Sequence, residues 1–283
     1  KSVDSVHFYC KETALIDTCE SIMTAGIVLT YCDVNESPYN YASLSTAAAN
    51  QASELLKLPH TVTTTKATGN ERNRVYEGGR AGAFFNTRMV EGLRQTPYDI
   101  TLFMDSDFVV QTDSLRLELE AFKSSKDPIR FLLTRSVDHV NNLPPYNPSP
   151  LWSTLLLYRN TSSVNEFFNT VNLYADNWIW TLASNNLPSR MVFRNDVAWG
   201  LSAKIVFGEF ANLSFTDHYR CTFSRFPYNP DTKIADVAGT SVRVPFDTHA
   251  MDKEHLLATW SRLAYVRDTG KQPATTATKD SNS

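Results

Sequence analysis

Residues 99–110 read DITLFMDSDFVV. The run is apolar and long enough for a buried strand, yet it carries Asp105 and Asp107 with only Ser106 between them. An ionised carboxylate is costly to desolvate unless a cation or a donor compensates it. In a strand, residues i and i+2 share a face, so both charges would lie on the same side. A strand ending at this point resolves the conflict, because it delivers the pair to an open sheet edge where they can hold something.

Working outward, strand and helix candidates alternate, which predicts an α/β layered domain. VHFYC (6–10) is a short apolar run followed by a helical stretch from Glu12 to Thr24. GIVLTYCDV (26–34) reads as a buried strand ending in a carboxylate, and Leu44–Leu56 is Ala-rich and helix-prone. HTVTTT (60–65) is β-branched, as a third strand would be. GRAGAFFNTRMVEGLRQ (79–95) has apolar residues near helical spacing and stops at Pro97. Beyond the central run, 115–122 reads as helix, 130–134 as strand, 141–150 as a proline-rich loop and 151–159 as strand. Residues 164–183 form a strong amphipathic helix pattern and 194–206 a second one. Short strands and turns are expected over 216–245, a final helix over 259–268, and a disordered polar tail over 269–283. No internal repeat is visible.

The composition is that of an ordinary globular protein: 283 residues, 42% hydrophobic, 20% charged, formal charge −3. That balance gives no general affinity for nucleic acid, so nucleic acid is not expected as a partner. Cys10, Cys19, Cys32 and Cys221 form neither a CxxC pair nor a zinc spacing, so reduced cysteines are expected. Sequons at Asn35, Asn160 and Asn212 are near chance for this length. No apolar window approaches the 18 residues of a transmembrane helix. No signal-peptide pattern opens the chain, so a cytoplasmic location is expected; the start at Lys1 rather than Met leaves a lumenal one open.

Three readings compete for the two aspartates. One is an exposed turn, which the apolar run before them disfavours. A second is a phosphatase of the haloacid dehalogenase type, whose DxDx[TV] pattern Asp105–Val109 fits. That nucleophile lies on the opening strand of its domain, whereas here a long structured stretch precedes it and no clear downstream acidic pair appears. The third is a divalent-metal site holding a nucleotide diphosphate, since hard oxygen ligands suit Mn²⁺ or Mg²⁺.

At this point the sequence resembles a glycosyltransferase of the GT-A fold. In that family a helix and a short PYD-TL turn lead into a strand ending in DxD, and here the stretch stands as QTPYDITLFMDSDFVV (95–110). The likeness is loosest to single members and points toward the retaining glycogenin and galactosyltransferase-like group. It implies one Rossmann-like domain with a mixed central sheet flanked by helices. Residues 1–110 would form the nucleotide-sugar half and 111–268 the acceptor half. It further implies a nucleotide-diphosphate sugar donor, Mn²⁺ (or Mg²⁺) on Asp105 and Asp107, and a hydroxyl-bearing acceptor: a glycan, a protein or a small molecule.

The resemblance also suggests partners for the pair. THAMDK (248–253) is similar to the C-terminal signature in which a His completes the metal site and a Lys binds the diphosphate, which would be His249 and Lys253; otherwise His249 is a solvent-facing residue of a polar loop. Arg80 would reach the diphosphate, with Arg72, Arg74 and Arg88 as rivals. Asp196, beside Asn195, would face the donor sugar or act as base; the plainer reading of either is a helix N-cap. Trp152, with Ser153 next to it, would line the sugar pocket, although core packing is the commoner fate of an aromatic side chain. Alternatives are transfer to hydroxymethylated nucleic-acid bases, or a non-catalytic nucleotide-sugar-binding module; the latter would be expected to lose one of the two aspartates.

Overall fold

The computed structural model describes residues 23–33, 40–66, 73–75, 81–83, 89–139, 150–186, 193–208 and 210–270. The strand and helix expected before residue 23, the loop over 141–149 and the tail from 271 lie outside them.

The elements run β1 (Ala25–Asp33), α1 (Tyr41–Leu56), β2 (His60–Lys66), β3 (Asn73–Val75), β4 (Ala81–Ala83), α2 (Met89–Leu93), β5 (Ile100–Met104) and β6 (Phe108–Val109). There follow α3 (Ser114–Ser124), β7 (Ile129–Leu133), β8 (Val137–His139), β9 (Leu151–Arg159), α4 (Ser162–Asp176), α5 (Trp178–Ser184) and α6 (Asn195–Phe207). The last are β10 (Cys221–Ser224), β11 (Tyr228–Asn229), β12 (Ile234–Val237), β13 (Thr240–Arg243), β14 (Asp247–Ala250) and α7 (Lys253–Thr269).

The fold is mixed α/β. A central five-stranded sheet has the order β2-β1-β5-β9-β7 and is flanked by helices. β1 pairs in parallel with β2 and β5, and β9 runs antiparallel to β5 and β7. Strands from both sides of residue 110 therefore share one sheet. The inner strands β1, β5 and β9 are buried on both faces over most of their length, which is why they read as near-continuous apolar runs. Ile27, Leu29, Ile100, Leu102, Met104, Leu155 and Leu157 pack toward α1, α3 and α7. Their neighbours in sequence, Val28, Phe103, Leu156 and Tyr158, pack toward α2, α4 and α6.

Three expectations are corrected. Among the described residues of the helix read over 79–95, Met89–Leu93 form α2, whereas residues 81–83 form β4, antiparallel to β3. Gly82 accounts for the departure at 81–83, since glycine costs a helix interior about 1 kcal/mol. Gly92 in α2 is there for space: a Cβ would sit 1.9 Å from Thr30 Oγ1 on β1. The single helix over 164–183 is two, broken at Asn177, whose φ of −114° and ψ of 33° leave the helical region. The final helix begins at Lys253, six residues earlier than expected, because Asp252 caps it by accepting the His255 N–H at 3.0 Å.

A second, four-stranded sheet has the order β6-β14-β10-β8. Asp247 on β14 is fully buried and fixes it to the chain leaving β6. Its Oδ1 accepts the Gln111 and Thr112 N–H groups at 2.8 and 2.9 Å and the Thr112 hydroxyl at 3.0 Å; Oδ2 accepts the Tyr219 hydroxyl at 3.2 Å. Burial pushes this carboxyl up to about 6 against the pull of those donors. Asp247→Ala should cost about 2–4 kcal/mol, because it strands buried donors. Asp247→Asn should cost less than half as much: its carbonyl replaces Oδ1 and the Tyr219 hydroxyl can turn to accept. Urea unfolding of both variants at pH 7 measures the difference, and an alanine variant as stable as wild type would disprove the clamp.

Candidate metal centre

β5 stays in the central sheet as far as Met104, which is paired with Leu155 on β9. The Asp105 N–H donates to the Thr154 carbonyl at 2.9 Å, and the Asp105 carbonyl accepts the Phe108 N–H at 3.1 Å. Residues 105–108 thus form a tight turn that lifts the chain out of one sheet and starts it in the other. The turn lies at the carboxyl end of β5, the end at which open α/β sheets bind ligands.

The second sheet then brings in the far end of the chain. β6 and β14 pair antiparallel, with Phe108 opposite His249 and Val109 opposite Thr248. The Asp107 carbonyl accepts the Ala250 N–H at 2.9 Å. His249 is therefore a strand residue rather than a loop residue. Its Nε2 lies 3.0 Å from Asp107 Oδ1 and 3.9 Å from Asp105 Oδ2. Lys253, the first residue of α7, bonds through Nζ to Asp107 Oδ2. Four of the residues singled out in the sequence, Asp105, Asp107, His249 and Lys253, meet at one point.

The imidazole is held from behind. Trp152 Nε1 and Thr154 Oγ1 lie 3.4 and 3.2 Å from its Nδ1. The Trp152 and Phe223 rings pack edgewise on it at centroid distances of 6.3 and 5.5 Å, and on each other at 5.2 Å. Thr154 and Phe223 escaped the sequence reading. The signal available for Thr154 was its position two residues after Trp152, hence on the same strand face, inside an otherwise apolar run.

The two carboxyls are tuned apart. Burial, and then the Asp107 charge, push Asp105 up to about 7, although His249, Lys253 and Thr154 pull it down. Asp107 is also buried, but the His249 and Lys253 charges and hydrogen bonds outweigh that and hold it well below the usual carboxylate range. The same pairing holds the Lys253 ammonium well above its ordinary value in spite of burial. Asp107 is thus fixed as an anion, whereas Asp105 is the carboxyl that gains or loses its proton near neutrality.

Among the described residues, the hydrogen bonds and ion pair of Asp196 and Asn195 lead elsewhere. Asp196 is in the first turn of α6, with both oxygens held by Arg194 at 3.0 and 2.5 Å. Neither it nor Asn195 is the N-cap; that position is Arg194, with no side-chain capping bond. Asn195 is buried, its amide donating to Met89 Sδ at 3.4 Å while its Oδ1 has no hydrogen-bond partner. Arg80, Arg72 and Arg88 lie outside the described residues, and Arg74 falls on β3.

Asp105, Asp107 and His249 each offer one ligand atom, and these atoms lie within 4.8 Å of one another. Adjacent ligands of an octahedral ion at about 2.1 Å are roughly 3 Å apart, and opposite ones roughly 4 Å. The separations of 3.0 and 3.9 Å fit that pattern. Two carboxylates and one imidazole suit Mn²⁺ better than Mg²⁺, which prefers oxygen alone. The donor set present therefore fits a divalent ion.

No known protein family and no curated protein matches the chain. Among solved structures, it is similar to a glycosyltransferase involved in glycosylation of the major capsid of PBCV-1: 11% identity, 60% of this chain and 81% of that one, TM-score 0.33. It is also similar to a mutant Drosophila β1,4-galactosyltransferase 7 complexed with manganese, UDP-Gal and xylobiose (15% identity, 59% and 63%, TM-score 0.32). A third is 4-diphosphocytidyl-2C-methyl-D-erythritol synthase from Anaerococcus prevotii (11% identity, 86% and 99%, TM-score 0.32). Likeness at this level does not bear on activity. No helix among the described residues is long and apolar enough to cross a membrane.

The elevated Asp105 value has a consequence for stability in EDTA. The folded chain holds that proton more tightly than the unfolded chain, so stability should fall as pH rises from about 4 to about 7. Asp105→Asn should flatten this slope and, with discount for the quarter of the side chain that is exposed, gain about 2 kcal/mol at pH 7.5. Urea unfolding across that range tests it. Parallel curves for variant and wild type would show that Asp105 titrates as an ordinary surface carboxyl.

Proposed function

We propose that this chain is a metal-dependent glycosyltransferase that moves a sugar from a nucleotide-diphosphate sugar to an acceptor hydroxyl. The observation that carries the reading is the convergence of Asp105, Asp107 and His249, with Lys253 beside them, at the carboxyl end of β5. Asp105, Asp107 and His249 would hold a divalent ion there, which would supply positive charge against the charge that develops on a leaving nucleoside diphosphate.

The chain's own groups would prepare for it as follows. The indole nitrogen only donates, so with Trp152 on Nδ1 the His249 proton sits on Nε2 and points to Asp107. Metal binding calls for the other neutral tautomer, with Nε2 free and Nδ1–H donating to the Thr154 hydroxyl. That hydroxyl can pass its own hydrogen on to the Asp105 carboxylate, with which it is bonded. Asp105 must give up its proton to ligate, so metal affinity should strengthen as pH rises through about 7.

Lys253, at the N-terminus of α7, would take the diphosphate, where the helix dipole also favours an anion. Trp152 is half-buried and turned to His249, so its role in this reading is to fix the imidazole and to border the donor. Retention of configuration is the outcome we favour, because both oxygens of Asp196, the carboxylate suited to act as base in an inverting reaction, are taken by Arg194. Sugar, nucleotide base and acceptor are matters for a donor panel.

The test is a thermal-shift and calorimetric panel of nucleoside diphosphates and nucleotide sugars in Mn²⁺ and in EDTA. Binding of at least one diphosphate should tighten by tenfold or more with Mn²⁺, and Asp107→Ala should abolish that gain along with metal-dependent transfer. Equal affinity in both buffers, or an Asp107→Ala protein with near-normal turnover, would sink the reading.

A further inference from the structure

Asp107 has both oxygens occupied: Oδ1 faces His249 Nε2 at 3.0 Å and Oδ2 binds the Lys253 ammonium. The carboxylate is almost fully buried and the Lys253 side chain is largely so. The partnership spans 146 positions of sequence. It is also electrostatically unusual on the lysine's side. Lys253 is the first residue of a 17-residue helix, where the positive end of the dipole repels a cation. An ammonium at that position needs an anion, and Asp107 is the carboxylate with which it pairs.

We propose that Lys253 is the resident counter-cation of Asp107, and that its ammonium makes metal binding at this cluster conditional on a diphosphate ligand. This rests on the reading of Asp105, Asp107 and His249 as a divalent-metal site. A divalent ion that takes Oδ1 shares one carboxylate with the ammonium on Oδ2, a few ångströms away in a poorly solvated site. Like charges at that distance repel strongly there. With the ammonium in place, the metal-free cluster is already close to neutral and attracts a dication weakly.

A diphosphate changes the balance. Its oxygens offer Lys253 a second anion beside the N-terminus of α7, whose positive dipole end favours it as well. Once the ammonium leaves Oδ2, Asp107 regains a full uncompensated charge and the dication binds to it. Metal and diphosphate therefore strengthen one another by two routes, direct bridging and release of Lys253, and the coupling is reciprocal. Such an arrangement makes donor and ion bind together and keeps the empty site from retaining metal.

Mn²⁺ titration followed by the paramagnetic resonance of the free ion tests the proposal on wild type, Lys253→Met, Lys253→Gln and Lys253→Arg. Without nucleotide, Met and Gln variants should bind Mn²⁺ about tenfold or more tightly than wild type, since one adjacent positive charge is gone. The Arg variant, which keeps the charge, should remain weak. With ADP, CDP, GDP or UDP added in turn, the gain in Mn²⁺ affinity should be larger in wild type than in either neutral variant.

Neutral variants that keep their EDTA-state melting temperature but bind Mn²⁺ no better than wild type would overturn the proposal, and so would an equal diphosphate-induced gain in all proteins. Using both Met and Gln guards against a folding defect in one of them. The outcomes separate from those of the functional reading. If no diphosphate binds any variant, the transferase reading fails while the metal-only comparison still decides the role of Lys253. If no variant, neutral ones included, binds Mn²⁺, the metal site is wrong and the counter-cation role falls with it.

Discussion

A two-residue antiparallel ladder, Phe108 and Val109 against His249 and Thr248, is the contact on which the candidate site depends. Without it, the aspartates at the end of β5 and the histidine of β14 belong to separate sheets. So short a ladder is weak by itself, and the surrounding bonds make it secure. The Asp107 carbonyl holds the Ala250 N–H, and Asp247 gathers the donors of Gln111, Thr112 and Tyr219. Gln111 returns the tie, donating from its side chain to the Phe246 carbonyl and to Thr248 Oγ1. Polar groups buried in this way are costly if unpaired, so the mutual pairing selects a single register.

That register sets the electrostatics. A one-residue slip of β14 would turn His249 to the opposite face and leave Asp107 with Lys253 but without its imidazole partner. In the register found, Asp107 is pinned as an anion by His249 and Lys253, and the neighbouring Asp105 carries the unfavourable share of two buried negative charges. The metal-free fold thus stores a penalty at Asp105 that a bound cation would relieve. Functional sites commonly hold groups whose values are pushed apart in this manner.

The central sheet provides the stiffness behind the pair. β5 is packed on both faces and bordered by β1 and β9, so Asp105 leaves a strand with little freedom to move. Thr154 on β9 contacts both sides of the site, through its carbonyl to the Asp105 N–H and through its hydroxyl to His249. Asp196, by contrast, sits on α6 with Arg194 and takes its stability from that fork. Its position serves the start of the helix whatever else it does.

Read by itself, the sequence determined the layered α/β class, the strand of residues 99–104 and the exceptional status of Asp105 and Asp107. Those follow from local rules: apolar runs with no polar face need cover on both sides, and a buried strand cannot end in two carboxylates without a reason. It also indicated His249 and Lys253, though only through resemblance, since no local pattern links them to Asp107. Where local signals were diluted it misled, as with Gly82 before α2 and the break at Asn177. The tertiary structure alone decided that His249 lies on a strand, that Lys253 neutralises Asp107, that Thr154 and Phe223 brace the imidazole, and that Asp196 is bound to Arg194. Each of these is a contact between side chains whose meeting depends on sheet register. Register is fixed by the sum of many burials and hydrogen bonds across the whole domain, and no short stretch of sequence contains that sum.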